Sequence, residues 1–249
     1  MLLCGPKSAR ADVAAIVTAM TDGEQFFLYD SLQAVLSDPG IGQVVLCIEE
    51  NNTWVNTVLG SLTADSRLEI VRIPLAPPGA VRNRALCHVQ MPWIAYCDGD
   101  DVWCKGKTLI QRAFANTTKC DFVGCDHYLT DEHGRIKAVA FAKYLPMLSS
   151  WMIRTQIMRQ YPFDESRPIG SDVEWWSRTE DTIFKVRCPR LFLRYRVRPG
   201  SVSSNTSSKR RKAKAVAFAG IPILGRSILF LTWCIWLCSR RKRYIRPKV

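Results

Sequence analysis

The sequence has no C-x-x-C pair, although it carries 10 cysteines scattered from Cys4 to Cys238. Zinc ribbons and secreted disulfide scaffolds need clustered cysteines, so both are excluded and a reducing, cytosolic face is expected. Histidine is scarce: His88, His127 and His133 stand apart, without the spacing of metal ligands. No Gly-rich phosphate loop follows the first apolar run, no internal repeat is visible, and the N-terminal run Met1-Leu2-Leu3-Cys4-Gly5 is too short for a signal peptide. Beyond position 208 there is no Asp or Glu at all.

That last absence explains the overall charge. The chain of 249 residues has 35 Lys and Arg against 22 Asp and Glu, a net charge of +13. Nearly all of the excess belongs to the C-terminal stretch, with Lys209-Arg210-Arg211-Lys212-Ala213-Lys214 and Arg240-Arg241-Lys242-Arg243. The body is therefore close to neutral. With 47% apolar and 23% charged residues the chain is globular, long enough for one substantial α/β domain plus an appendage. The polar stretch Pro199–Ser208 places the end of the body at 208, giving a domain over 1–208 and a tail over 209–249. Residues 215–238 are apolar except for Arg226, Ser227 and Thr232 and are interrupted by Pro222 and Gly225. They predict either a bilayer-spanning helix or two shorter pieces bent near 222–226 that lie in the interface, with basic flanks on anionic headgroups. A nucleic-acid role for the basic tail is disfavoured by the apolar Trp233-Cys234-Ile235-Trp236-Leu237 core.

In the body, strand-like and helix-like runs alternate. Strands are predicted over 12–20, 42–48, 67–73 and 93–97, with helices over 25–37, 53–62 and 81–89 between them. That order implies a mostly parallel sheet with helices on both faces. Helices are further predicted over 107–115, 152–160 and 171–178, and strands over 122–128, 135–141 and 192–197. The polar clusters Thr21–Glu24, Glu49–Asn52 and Asp98–Asp101 all follow strands, so they are expected to meet at one edge of the sheet, where α/β folds bind ligands.

The most informative cluster is Asp98-Gly99-Asp100-Asp101, directly after Trp93-Ile94-Ala95-Tyr96-Cys97. Three acids within four residues repel one another. A hard divalent cation, Mg²⁺ or Mn²⁺, supplies a reason for the cluster because it takes oxygen ligands and bridges them to phosphate. Alternation at the strand end puts Asp98 and Asp100 on one side as the metal pair. An acidic, Gly-containing surface turn is the plain alternative.

With Arg82-Asn83, Asp98-Gly99-Asp100-Asp101-Val102-Trp103, Lys107 with Gln111, Phe163-Asp164-Glu165, Ser171-Asp172-Val173-Glu174-Trp175-Trp176-Ser177-Arg178 and Tyr195-Arg196-Val197-Arg198-Pro199-Gly200-Ser201-Val202-Ser203 in that order, the chain resembles the family 2 glycosyltransferases. The resemblance runs from about Asp12 to about Ser203. It implies a GT-A, Rossmann-like fold and transfer of a sugar, with inversion, from a nucleotide-diphosphate donor to an acceptor hydroxyl in surface polysaccharide or glycolipid assembly. Carried over residue by residue, it implies Thr18, Glu49, Glu50, Arg82, Asn83 and Asp98 around the nucleotide sugar, Asp98 and Asp100 on the cation, and Asp172 as general base with Glu174 as competitor. Trp175 and Trp176 are candidates to stack on the acceptor, or alternatively core residues. Three departures stand out: Val17-Thr18 where Pro-Thr is usual, Glu49-Glu50 for Asp-Asp, and Ser171-Asp172 for Glu-Asp. Arg198 also replaces a common His, which either removes a metal ligand or substitutes a fixed cation. A catalytically inactive sugar-nucleotide binder and a nucleotidyltransferase are the rival readings. The expected partners are a nucleotide-diphosphate sugar, a saccharide or lipid-linked acceptor and, through the tail, the cytoplasmic face of an anionic membrane, with no nucleic acid.

Overall fold

A computed structural model describes residues 11–141, 143–198, 207–239 and 241–244. The chain runs β1 (Val13–Ala19), α1 (Leu28–Leu36), β2 (Ile41–Glu49), α2 (Val55–Leu59), β3 (Leu68–Ile73), α3 (Pro78–Cys87), β4 (Trp93–Asp98), β5 (Val102–Trp103), α4 (Lys107–Thr118), β6 (Phe122–Thr130), β7 (Ile136–Ala140), β8 (Met152–Arg154), α5 (Thr155–Gln160), α6 (Ser171–Arg178), β9 (Lys185–Arg196), α7 (Ser207–Phe218) and α8 (Pro222–Cys238). The nine strands form one sheet in the order β3-β2-β1-β4-β8-β6-β9-β5, with β7 beside β6. β3, β2, β1 and β4 are parallel; β8 enters antiparallel to β4 and β6, and β6 and β9 pair parallel again.

Strand alternation divides the core between the two faces. Val13, Ala15, Val17 and Ala19 of β1 pack with Leu28, Leu32 and Val35 of α1 and Val55 and Leu59 of α2. Ala14 and Ile16 face Val81, Ala85 and Leu86 of α3, with Met158 and Trp175 of α5 and α6 beyond. β1 is buried along its whole length, as a central parallel strand covered by helices must be.

Two expected elements differ. Residues 152–160, predicted as one helix, begin as β8, because Ile94 and Ala95 of β4 offer pairing partners to Ile153 and Met152. The apolar stretch 215–238 is divided: α7 ends at Phe218, Ile221 is extended, and Pro222 opens α8. Proline has no N–H to continue a helix but suits its first turn. Among the described residues no helix is long and apolar enough to cross a membrane.

The tail is also built into the core. Asp126 of β6 and Arg187 of β9 form an ion pair at 2.7 Å, with side chains 0% and 3% exposed. Trp236 of α8 donates its indole N–H to Asp126 Oδ2 at 2.8 Å, and Arg187 Nη1 donates to the carbonyls of Ser239 and Arg241. Past the helix, Arg243 bridges Val186, and the Tyr244 hydroxyl occupies the space left by the missing side chain of Gly124. Residues 241–244 thus extend the sheet region of the body. Nearby, His127 of β6 is buried with neither ring nitrogen hydrogen-bonded. Burial, aided by the charge of Lys212, lowers its pKa to about 3.

Removing one partner of a buried ion pair costs about 3–5 kcal/mol. Arg187→Met and deletion of 209–249 are therefore both expected to lower thermal stability sharply, measured by calorimetry against the full chain. His127 binds its proton more readily unfolded than folded. Its contribution to stability is present above pH ~6.5 and is lost as pH falls toward ~3. His127→Leu should remove this part of the acid sensitivity, read as a wild-type-minus-variant difference in denaturant midpoint that grows as pH is lowered from 7 to 4.

Candidate functional site

β1 has β2 on one side and β4 on the other, so the chain order reverses there, and the carboxyl ends of β1 and β4 open onto a crevice. Thr18 and Asp98 are register partners at this edge. Beyond Asp98 the chain turns across the end of β1: Gly99 N donates to Thr18 O at 2.8 Å. A Cβ at Gly99 would stand 2.9 Å from that carbonyl, so only glycine permits the approach.

The three acids of the turn have separate fates. Asp98 Oδ1 accepts from Arg82 Nη2 at 2.8 Å, with Thr18 Oγ1 at 3.4 Å. Asp100 Oδ2 accepts from Arg198 Nε at 2.7 Å. Asp101 is buried and accepts from Ser149 Oγ at 2.6 Å and from the backbone N–H of Arg196 at 3.0 Å. Burial, reinforced by Asp100 and Asp98, raises its pKa well above the carboxylate range. Asp101 ties the turn to β9, while Asp98 and Asp100 line the crevice.

Glu24, in the short turn Asp22–Glu24 after β1, lines the same crevice. It accepts from Thr21 N at 2.6 Å and Thr21 Oγ1 at 2.7 Å. Burial pushes its pKa up to about 7, against those hydrogen bonds; Asp100 adds to the rise and Arg198, 3.9 Å away, opposes it. Arg196 Nε donates to the Asp100 carbonyl, and its guanidinium lies 4.3 Å from the centre of the Phe27 ring. The crevice floor therefore alternates carboxyl and guanidinium groups. Its walls are apolar, with Met20, Pro78, Val81, Met147 and Ile169 enclosing about 420 Å³.

From α6, Asp172 lines the crevice with Gly170 and Ser171. Gly170 has φ +78°, the left-handed conformation that lets the chain turn into this helix. Glu174 is held by Arg178 at 2.6 Å and is not among the lining residues.

Of the residues expected at the site, Thr18, Arg82, Asp98, Asp100 and Asp172 come together here. Others do not. Glu49 accepts from the backbone and side chain of its neighbour Asn51, and Glu50 is exposed in the same turn, on the far side of β1 from β4. Asn83 faces away from the crevice and bridges α3 to the Phe163 backbone and Glu165. The stacking role for Trp175 and Trp176 is corrected: Trp175 is fully buried with its indole N–H on Tyr161 O, and Trp176 packs against Tyr244 and Phe122. Trp175 is therefore core and Trp176, half-buried, packs along the edge of that core, so neither ring lines the crevice. Glu24 was expected here only as part of the Thr21–Glu24 cluster, and Arg196 and Tyr195 only within the motif of residues 195–203, none of them assigned as an individual site residue. The T-x-x-E spacing at Thr21 and Glu24 is a further sequence signal for the turn that carries Glu24.

The acidic turn offers only part of a cation site. Among the described residues no three His, Cys, Asp or Glu side chains form a ready-made cage. Two of the turn's carboxylates, Asp98 and Asp100, remain at the crevice, each sharing an oxygen with an arginine. That donor set suits a cation completed by phosphate oxygens, the usual mode for Mg²⁺, and does not suit an all-protein site.

No protein-family profile matches the sequence, and no curated protein matches it significantly. Solved structures do match in fold. Staphylococcus aureus TarS 1–349 in complex with UDP-GlcNAc aligns at TM-score 0.63 and 14% identity over 83% of this chain and 65% of that one. The same protein with UDP gives 0.62 and 13%, over 83% of this chain and 70% of that one. The mannosyltransferase PcManGT from Pyrobaculum calidifontis, in complex with GDP-Man and Mn²⁺, aligns at 0.59 and 13% over 78% of this chain and 59% of that one. This chain spans 42% of the longer TarS chain. At these identities the likeness gives the fold, a GT-A-like mixed α/β arrangement.

The charges around Glu24 give a direct check. Its carboxyl should titrate near pH 7 in side-chain carbon NMR, falling in Asp100→Asn, which removes a repelling charge, and rising in Arg198→Met, which removes an attracting one.

Proposed function

We propose that this protein is a glycosyltransferase that moves a sugar from a nucleotide-diphosphate donor to an acceptor hydroxyl. The observation that carries the reading is the crevice itself, where Asp98, Asp100, Arg82 and Arg198 meet at the β1/β4 edge with Asp172 on the wall. The fold shared with nucleotide-sugar-bound structures supports it, as does the order of sequence motifs. A donor diphosphate needs its charge balanced as the bond to the sugar breaks. Arg82 and Arg198 supply fixed positive charge for this, exchanging a carboxylate partner for phosphate oxygens as the donor enters. A bound Mg²⁺ or Mn²⁺ would be held by Asp98 and Asp100 and would add Lewis-acid stabilisation of the leaving phosphate. Asp172 takes the acceptor's proton, and attack opposite the departing phosphate inverts the anomeric centre. The apolar wall keeps bulk water from competing with the acceptor. Surface polysaccharide or glycolipid assembly is the setting we favour for this activity.

The test is nucleotide release from a panel of sugar nucleotides with and without Mn²⁺. Asp172→Asn should lower turnover by at least ~10²-fold while donor affinity, measured calorimetrically, stays within ~2-fold, because the base acts on the acceptor. Glu174→Gln should leave turnover close to wild type, since Arg178 already occupies that side chain. Donor binding without release under every condition would identify an inactive sugar-nucleotide binder instead, and pyrophosphate release from a nucleoside triphosphate would identify a nucleotidyltransferase.

A further inference from the structure

The tail offers a second surface that the crevice does not use. α8 is seated by one stripe. Ile228 packs on the core, Thr232 Oγ1 accepts from Val139 N at 3.0 Å, and Trp236 binds Asp126. These positions recur every four residues and mark the inward face. The outward face carries Phe230 (63% exposed), Leu231, Trp233 (44%), Ile235 and Leu237, continued at the elbow by Ile223 (85%), Ile221 and Phe218. Single exposed apolar side chains are ordinary, but a run of this length is more than a soluble surface usually leaves open.

The charge around this face is of one sign. Beside the C-terminal end of α8, Lys143, Arg241 and Arg243 line a cavity of about 220 Å³ that has no acidic lining residue and whose fourth cation, Arg187, is already paired with buried Asp126. Arg226 is exposed on α8, and Lys214 is exposed on α7. A second copy of the chain would press these like charges together. A bilayer with anionic headgroups complements both features at once: its phosphates match the basic cavity and rim, and its acyl boundary matches the aromatic and aliphatic side chains.

We infer that the outward face of α8 docks the protein on an anionic phospholipid membrane as an interfacial, non-spanning attachment. Spanning is opposed by the break at Ile221-Pro222 and by the length of α8. Its 17 residues rise about 25 Å, short of the ~30 Å hydrocarbon core. The inward stripe is moreover committed to the sheet. α7 links the docking face to the crevice: Lys212 Nζ lies 4.6 Å from the centre of the Tyr195 ring and 3.0 Å from Met147 Sδ, and both residues line the crevice. The docked protein therefore holds the crevice rim close to the bilayer. This inference does not rest on the chemistry assigned to the crevice.

The experiment is sedimentation of the full chain with vesicles of phosphatidylcholine alone or mixed with phosphatidylglycerol. Binding should be at least ~10-fold tighter to the mixed vesicles, since several basic side chains each add attraction. It should weaken in high salt without vanishing, because the apolar part is not screened. Phe230→Ser combined with Leu231→Ser and Ile235→Ser should cost at least ~10-fold in binding with an unchanged melting temperature, as none of the three side chains holds the fold. In the unsubstituted protein, brominated lipid should quench tryptophan fluorescence, and Trp233→Phe should abolish most of that quenching. The idea fails if the full chain stays in the supernatant with mixed vesicles, if it forms a dimer that protects Trp233 without lipid, or if a C-terminal fragment is protease-protected inside the vesicle.

Discussion

Three carboxylates within one turn after β4 can be held together only if their mutual repulsion is offset, and much of the surrounding structure does this. Asp101 withdraws into the interior, where Ser149 and the Arg196 backbone satisfy it and burial favours its protonated form. Asp98 and Asp100 stay at the crevice and take Arg82 and Arg198 as counter-charges. These contacts draw together β4, α3, the turn before β8 and the end of β9, which are distant in sequence. On the proposed function, the same balance would suit an anionic ligand, because a phosphate entering between the arginines would replace one negative partner with another.

A second buried charge pair sits beneath the tail. Asp126 and Arg187 lie on the paired strands β6 and β9, where Arg187 stands opposite Gly124 and reaches along the strand to Asp126, and two unpaired charges there would be intolerable. The tail completes their hydrogen bonds through Trp236 and the carbonyls of Ser239 and Arg241. A segment that reads as an appendage is thus one wall of the core, with its other face exposed. Chain composition separates the tail from the body, but hydrogen bonding joins them.

The legible parts of the molecule are those set by local chemistry. The alternation of β1 through β4 with α1 through α3 follows from short apolar runs and breakers such as Asp38-Pro39-Gly40 and Pro77-Pro78-Gly79, and a parallel sheet follows from that order. Asp98 and Asp100 could be named because strand ends in such a sheet share one edge, and Arg82, on helix α3, only through the motif resemblance. Glu49 and Glu50 were misplaced by the same rule, since strand order decides which ends border the crevice and β2 lies on the far side of β1. Trp175 and Trp176 illustrate a different limit. An aromatic beside a catalytic-type carboxylate on a helix points wherever the helix is rotated, and α6 is rotated so that Trp175 is buried and Trp176 half-buried against Phe122 and Trp151.

The sequence by itself determined the α/β class, the acidic turn at a strand end and the one-signed charge of the tail, because each depends on neighbouring residues and on backbone geometry they impose directly. Only the tertiary structure decided that Glu24 joins the crevice with a pKa near neutrality, that Arg198 pairs with Asp100, that Asp101 is a buried tie, and that Trp236 seals Asp126. Those outcomes arise from burial and from charges brought together across long stretches of chain. Desolvation and Coulomb attraction depend on distance in space, which the order of residues along the chain does not specify.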